Sequence, residues 1–329
     1  MTDSTGNARS ECAEATPQGK GRGRARTCMF LMGMWIGCSA GAAELNWDDV
    51  VGELAVPVMQ NLDLSAWGEV DVAQLQGVCR QVQERLQGEY VVELAPLREV
   101  AHALLPLMEQ HAELQPYASW LRTRLDYLVV ADELRIAIPP PSLELRPKPL
   151  PSINPRPELE REIWVKKLAL RPILPRAEMY VPKLKPIFAA EGVPVELVWV
   201  AEVESAFDPQ AKSPVGAAGL FQLMPATAEW LGLELQPGDQ RLDPEKGGRA
   251  AAKYLKYLHG KFADWQLVLA AYNGGEGRVR RLMEKHEARR FDDIAQYLPA
   301  ETQMYVPKVE ATILRREGVT LADLGSRRR

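Results

Sequence analysis

The chain predicts an all-α protein. Leu, Val and Ala carry most of its 46% hydrophobic content. Apolar residues recur at the three- and four-residue spacing of buried helix faces, and the alternating Val/Ile/Thr runs of strands are missing. Its 329 residues leave room for about two domains. A net charge of -4 offers no basic footprint for nucleic acid, so no nucleic-acid partner is expected. The four cysteines (Cys12, Cys28, Cys38, Cys79) form no CxxC pair and the four histidines are scattered, so neither a metal site nor a cofactor is expected.

Residues 1–43 read as an export signal with a disordered leader. Residues 1–19 are small and polar, then Lys20, Arg22, Arg24 and Arg26 precede the apolar run of TCMFLMGMWIGCSAGAA. That run is too short for a membrane span, which needs about 20 residues. Two ends of the signal fit. Ala40-Gly41-Ala42 suits a general signal peptidase. Trp35-Ile36-Gly37-Cys38 resembles a lipobox, in which Cys38 would be lipidated and tie the chain to the outer membrane. Either way the mature protein is expected in the periplasm.

Residues 44–138 read as a helical accessory region. Leu75, Val78/Cys79, Val82 and Leu86 make one stripe and Leu94 to Met108 a second, with Pro106 as a kink. Tyr117, Trp120/Leu121, Leu125 and Leu128 make a third. No polar constellation stands out, and Cys79 reads as core. Residues 139–157 hold eight prolines and read as an extended linker. Helical pattern resumes at residue 158, with interruptions at Arg171-Pro172 and Tyr180-Val181-Pro182.

Pro194 suits a first helical turn, and the segment Leu197 to Glu204 that follows is apolar almost all round, so it is expected to be buried. A carboxyl at the end of such a helix is desolvated, which favours its protonated form. Glu202 and Glu204 both qualify. Two residues apart on a helix, they face different sides, and periodicity alone does not choose between them. Further on, Asp243-Pro244 and Asp264 read as N-caps of two helices, and Glu301 to Arg316 as a closing helix.

Four blocks then stand in order. They are Glu204-Ser205 with Phe207 and Pro209; Ser213 to Pro225 (SPVGAAGLFQLMP); Ala271-Tyr272-Asn273-Gly274-Gly275; and Glu301-Thr302-Gln303-Met304-Tyr305-Val306. Together they resemble the soluble-type lytic murein transglycosylases, over roughly Val193 to Val319. The proline linkage and upstream helices are most similar to the membrane-bound D-type branch, here expected without its LysM repeats.

The resemblance implies a goose-lysozyme-like helical catalytic domain at 158–329, with its core at 193–319, acting on peptidoglycan glycan strands. It implies that Glu204 is a single acid/base that protonates the oxygen between MurNAc and GlcNAc. Glu204 then deprotonates the MurNAc C6 hydroxyl, which closes a 1,6-anhydro ring. It further implies substrate-binding roles for Ser213, Gln222, Met224, Tyr272, Asn273, Glu301 and Tyr305. Structural roles stand beside these: core filling for Met224, buried polar structure for Gln222 and Asn273, a helix-dipole charge for Glu301. A goose-type lysozyme would use the same fold to hydrolyse the same bond, and a cell-wall-binding protein would keep the fold without the reaction.

Overall fold

In the computed structural model, residues 72–137 and 154–326 are described. The expected export signal, Cys38 and most of the proline-rich stretch lie outside them. The described residues are helical without a strand, as the composition predicts; isolated bridges pair Ala218 with Lys212 and Leu223.

Three upstream helices, α1 (Val72–Leu86), α2 (Leu97–Glu109) and α3 (Gln115–Ala137), follow the predicted stripes. Pro106 lies within α2. Their buried faces form one core that includes Leu75, Val82, Leu104 and Trp120, with Cys79 fully buried beside Met108. Burial pushes the Cys79 thiol up to about 12, as for a packing residue rather than a reactive one.

Pro157, counted with the linker in the sequence reading, opens α4 (Pro157–Leu168) from the N1 position, where its missing N–H is not needed. Helix α5 (Pro175–Ala190) runs straight through Pro182 and Pro186, contrary to the predicted break. Its face of Ala177, Val181, Leu184, Ile187 and Phe188 is buried, and that packing holds the helix across two missing donors. The apolar segment after Pro194 starts as a 3-10 turn (Val195–Trp199) and becomes α-helical only in α6 (Val200–Ser205).

The remaining helices are α7 (Pro225–Trp230), α8 (Pro244–Phe262), α9 (Trp265–Gly274), α10 (Glu276–Lys285), α11 (Phe291–Ile294), α12 (Ala300–Glu317) and α13 (Leu321–Ser326). Both predicted caps form. Asp243 accepts from the Glu245 and Lys246 amides, and Asp264 from that of Leu267. The second core gathers α5, α6, α8 and α9 around residues such as Phe188, Val200, Leu255 and Val268.

Helix α12 belongs to both cores. Tyr305, Val306, Val309 and Ile313 sit in the second, while Ala300, Met304 and Ala311 join Trp164 and Leu168 of α4 in the first. On the shared face Lys308 is buried. Its Nζ donates to the Thr123 carbonyl at 2.8 Å, meets Asp126 at 3.1 Å and lies 4.3 Å from the Tyr127 ring centroid. Burial pulls this ammonium down to about 8 against the pull of Asp126. Burial likewise opposes the Asp126 charge, but Lys308 and Arg171 outweigh it and hold that carboxyl below the usual carboxylate range.

Candidate active site

Helix α6 ends where the backbone turns left-handed, at Ala206 (φ 51°) and Phe207 (φ 57°). The last turn before that bend carries both candidate carboxylates, and their surroundings separate them. Glu202 faces the C-terminal end of α12, where Arg316 donates to both of its oxygens at 2.7 and 2.9 Å. Glu204 faces the other way, 3% exposed, toward α3 and the start of α12. Among the described residues its one near cation is Arg124 of α3, whose Nη2 lies 3.6 Å from Oε2, beyond a normal hydrogen bond.

Burial pushes the Glu204 carboxyl up to about 7. Arg124 and the Tyr305 hydroxyl pull the other way, and the Glu301 charge adds to the rise. The Tyr305 hydroxyl lies close enough to favour the ionised acid but does not complete hydrogen-bond geometry with it. The phenols of Tyr272 and Tyr305 are both raised, by burial first and by the Glu204 charge second, so both rings flank this carboxyl.

The loop from Ala211 to Met224 forms the next wall. Ser205 Oγ donates to the Leu220 carbonyl at 2.8 Å, tying the loop to the residue beside the acid. Gly219 has φ 80°, and a Cβ there would meet the Arg241 carbonyl oxygen at 1.9 Å, so only glycine fits. Arg241, buried, donates to the carbonyls of Gly216 (2.7 Å) and Leu223 (2.8 Å) and pins both ends of the turn. Gln222 adopts a left-handed φ of 47°. Its amide nitrogen donates to Ala211 and Gly219 carbonyls at 3.1 and 2.9 Å, which leaves its buried Oε1 without a partner. Ser213 Oγ accepts from the Ala217 amide. Met224 is 42% exposed at the N-cap of α7.

Helix α9 brings Tyr272 and Asn273. The Tyr272 hydroxyl donates to the Phe221 carbonyl at 2.7 Å, and Asn273 Oδ1 accepts from Thr302 Oγ1 at 2.7 Å. Bonds therefore close a ring through the four sequence blocks: Ser205 to the loop, the loop to Tyr272, Asn273 to Thr302, and Glu301 through Arg124 back to the Glu204 main-chain carbonyl.

Glu301 is 2% exposed and its oxygens are occupied. Gln83 and Gln87 each donate to Oε2 at 3.1 Å, and Arg124 Nη2 meets Oε1 at 3.0 Å. Glu301 is a buried anchor rather than part of a wall open to ligand.

Arg124 is the residue that sequence reasoning missed. It lies four residues after Trp120 and four before Leu128, within the apolar stripe of α3. A lone charge at a buried register was the available signal.

Residues 188–295 match the family model for the Transglycosylase SLT domain. The membrane-bound lytic murein transglycosylase D of Escherichia coli K12 is 35% identical over 187 residues, 55% of this chain and 38% of that protein. The soluble lytic murein transglycosylase of the same strain is 40% identical over 121 residues, 34% of this chain and 19% of that protein. The chain thus spans well under half the length of these relatives. A solved lytic transglycosylase Slt from Pseudomonas aeruginosa superposes with a TM-score of 0.38 at 20% identity, covering 79% of this chain and 66% of that one. Residues 188–295, which hold the Glu204 helix, the Gly219 loop and Tyr272 on α9, are therefore similar to the Transglycosylase SLT domain and to segments of the lytic murein transglycosylases.

Proposed function

We propose that this protein is a peptidoglycan lytic transglycosylase that cleaves the MurNAc–GlcNAc β-1,4 bond without water and leaves 1,6-anhydroMurNAc ends. The observation that carries the reading is a buried carboxyl at the meeting point of the four blocks, Glu204, pushed by burial up to about 7, while the neighbouring carboxylates Glu202 and Glu301 are already bonded. An acid with a pKa near the working pH both donates and recovers a proton efficiently. The usual glycosidase pairs an acid with a second carboxylate that attacks the sugar or activates water. Here the substrate's own C6 hydroxyl would take that part.

In this reading Glu204 gives its proton to the glycosidic oxygen as the C1–O bond breaks, and the bond's electron pair leaves with that oxygen. The C6 oxygen then bonds to C1, and its proton returns to Glu204. The unpartnered Gln222 Oε1 would accept from a sugar hydroxyl or acetamido N–H, since a buried acceptor left unpaired is unfavourable. Tyr272, Asn273 and Ser213 would border the sugar, and the exposed Met224 would offer it an adaptable apolar surface.

Action on cell-wall glycan fits the exported state expected from residues 1–43, with Cys38 as a lipid anchor in the second form of processing. Among the described residues no helix is long and apolar enough to cross a membrane.

The test is mass spectrometry of the products released from purified sacculi by wild type and by Glu204→Gln. Anhydro-muropeptides from wild type alone are the expected result. Reducing-end products would make the protein a muramidase instead, and no products from either would leave a binding protein.

A further inference from the structure

Helix α3 reaches into the site from outside the SLT segment, and Arg124 is the group it delivers. The guanidinium is 6% exposed. Its Nη1 donates to the main-chain carbonyl of Glu204 at 3.0 Å and to Thr123 Oγ1 at 2.8 Å; its Nη2 meets Glu301 at 3.0 Å and the Glu204 carboxyl at 3.6 Å. One cation therefore stands between two buried carboxylates and favours one of them. The preference has a cause. Glu301 is held toward Arg124 by Gln83 and Gln87 of the α1 end, whereas no hydrogen bond among the described residues holds the Glu204 carboxyl toward it. Arg124 also satisfies a carbonyl at the C-terminal end of α6, where a positive charge is favourable.

We propose that Arg124 is a positioning residue for the acid/base Glu204: committed to Glu301, it leaves the cluster neutral with one proton on Glu204, and singly negative once that proton has been delivered. This inference rests on the reaction proposed above. At rest the charges of Arg124 and Glu301 cancel and Glu204 is neutral. After proton transfer to the leaving oxygen, Glu204 is an anion whose charge Arg124 does not absorb. That charge faces the cationic C1 until the C6 oxygen attacks. Removing the Glu301 charge would release Arg124 to Glu204, hold the acid ionised, and leave no net negative charge opposite C1.

The groups facing Glu204 are Arg124 and Tyr127 from α3, Tyr272 from α9, and Glu301 and Tyr305 from α12. Glu202, on its own helix, is paired with Arg316 on the other side. Both tyrosines beside the acid stay neutral over the working range, so burial raises its titration, Arg124 and the Tyr305 hydroxyl lower it, and Arg124 and Glu301 are the charges that move it.

The experiment is the pH profile of muropeptide release from sacculi by the full chain, for wild type, Glu301→Gln and the double variant Arg124→Met/Glu301→Gln. The alkaline limb should fall by about one pH unit or more in Glu301→Gln, as for an acid gaining an unshared cation. It should rise above the wild-type position in the double variant, where burial acts with neither charge present and only the Tyr305 hydroxyl opposes it. A purely structural role lowers the amplitude at every pH and compounds in the double variant without restoring the limb. Limbs that coincide in all three proteins overturn the proposal, as does a double variant whose limb stays low. Should Glu301→Gln not fold, the double variant decides: a limb above wild type supports the proposal and one at or below it overturns it. Wild-type activity that is lost in Glu204→Gln, combined with unmoved limbs, would sink this inference and leave the reaction standing.

Discussion

Glu204 destabilises the fold wherever it must be charged, and the sign of that effect is fixed. Its pKa rises from an ordinary 4.5 to about 7 on folding, because burial disfavours the anion. Between those values the folded chain binds more protons than the unfolded one. Stability present below the unfolded value is therefore lost as pH rises through about 7, and stays lost above it. Glu204→Gln should be more stable than wild type at pH 8 by about 2–4 kcal/mol and closely matched at pH 5. Urea unfolding at the two pH values measures this, and equal stabilities at pH 8 would mean that the carboxyl is not desolvated. At this scale the sequence was informative where a residue's chemistry is local. The carboxyl at the end of an apolar helix and the glycines of the 211–224 loop were visible from neighbours in the chain. The environments that distinguish Glu204 from Glu202 depend on Arg316, 114 positions after Glu202, and Arg124, 80 before Glu204. No periodicity reports which arginine meets which glutamate. The anchoring of Glu301 was hidden for the same reason: its partners Gln83 and Gln87 lie more than 200 residues away.

Among elements, α3 and α12 meet through polar atoms as well as apolar ones. Lys308 is the centre of that contact, bonded to Thr123 and Asp126 and lying over Tyr127 and Trp164. Lys308→Ala removes the ammonium from a buried site and leaves Asp126 to Arg171 alone. It should destabilise the protein by about 3 kcal/mol, read as a lower urea midpoint, because one partner of a buried pair is lost. A change below about 1 kcal/mol would show that Arg171 suffices. Caps were legible here, since Asp243-Pro244 and Asp264 act on amides two or three residues away. Helix α5 was not, because Pro182 and Pro186 lower helix propensity locally while the packing that holds the helix comes from α8 and the 3-10 turn before α6.

For the molecule as a whole, the decisive fact is that α12 and α4 complete a core begun by α1, α2 and α3. A chain starting at residue 154 would expose Trp164, Leu168 and Met304 and leave Lys308 and Glu301 without their upstream partners. Exposed surface of that kind, with buried charges unpaired, predicts a chain without a cooperative thermal transition. Differential scanning calorimetry of residues 154–326 beside 44–329 measures it. A sharp transition in the short chain would mean that the upstream helices are dispensable to the fold. An all-α class could be read from composition and spacing, because both are properties of short windows. Which apolar stripe seats on which is not written in any window, since stripes of Leu, Val and Ala are interchangeable to one another's eyes.

The ring that ties Ser205, Phe221, Tyr272, Asn273 and Thr302 around Glu204, closed by Arg124 between Glu301 and the Glu204 carbonyl, also has a mechanical meaning. In an open series of fasteners, every break frees an end. In a closed one, the first break leaves each part still attached on its other side, and only the second lets anything swing. Sites made this way tolerate damage until suddenly they do not, so their wear is seen late and all at once.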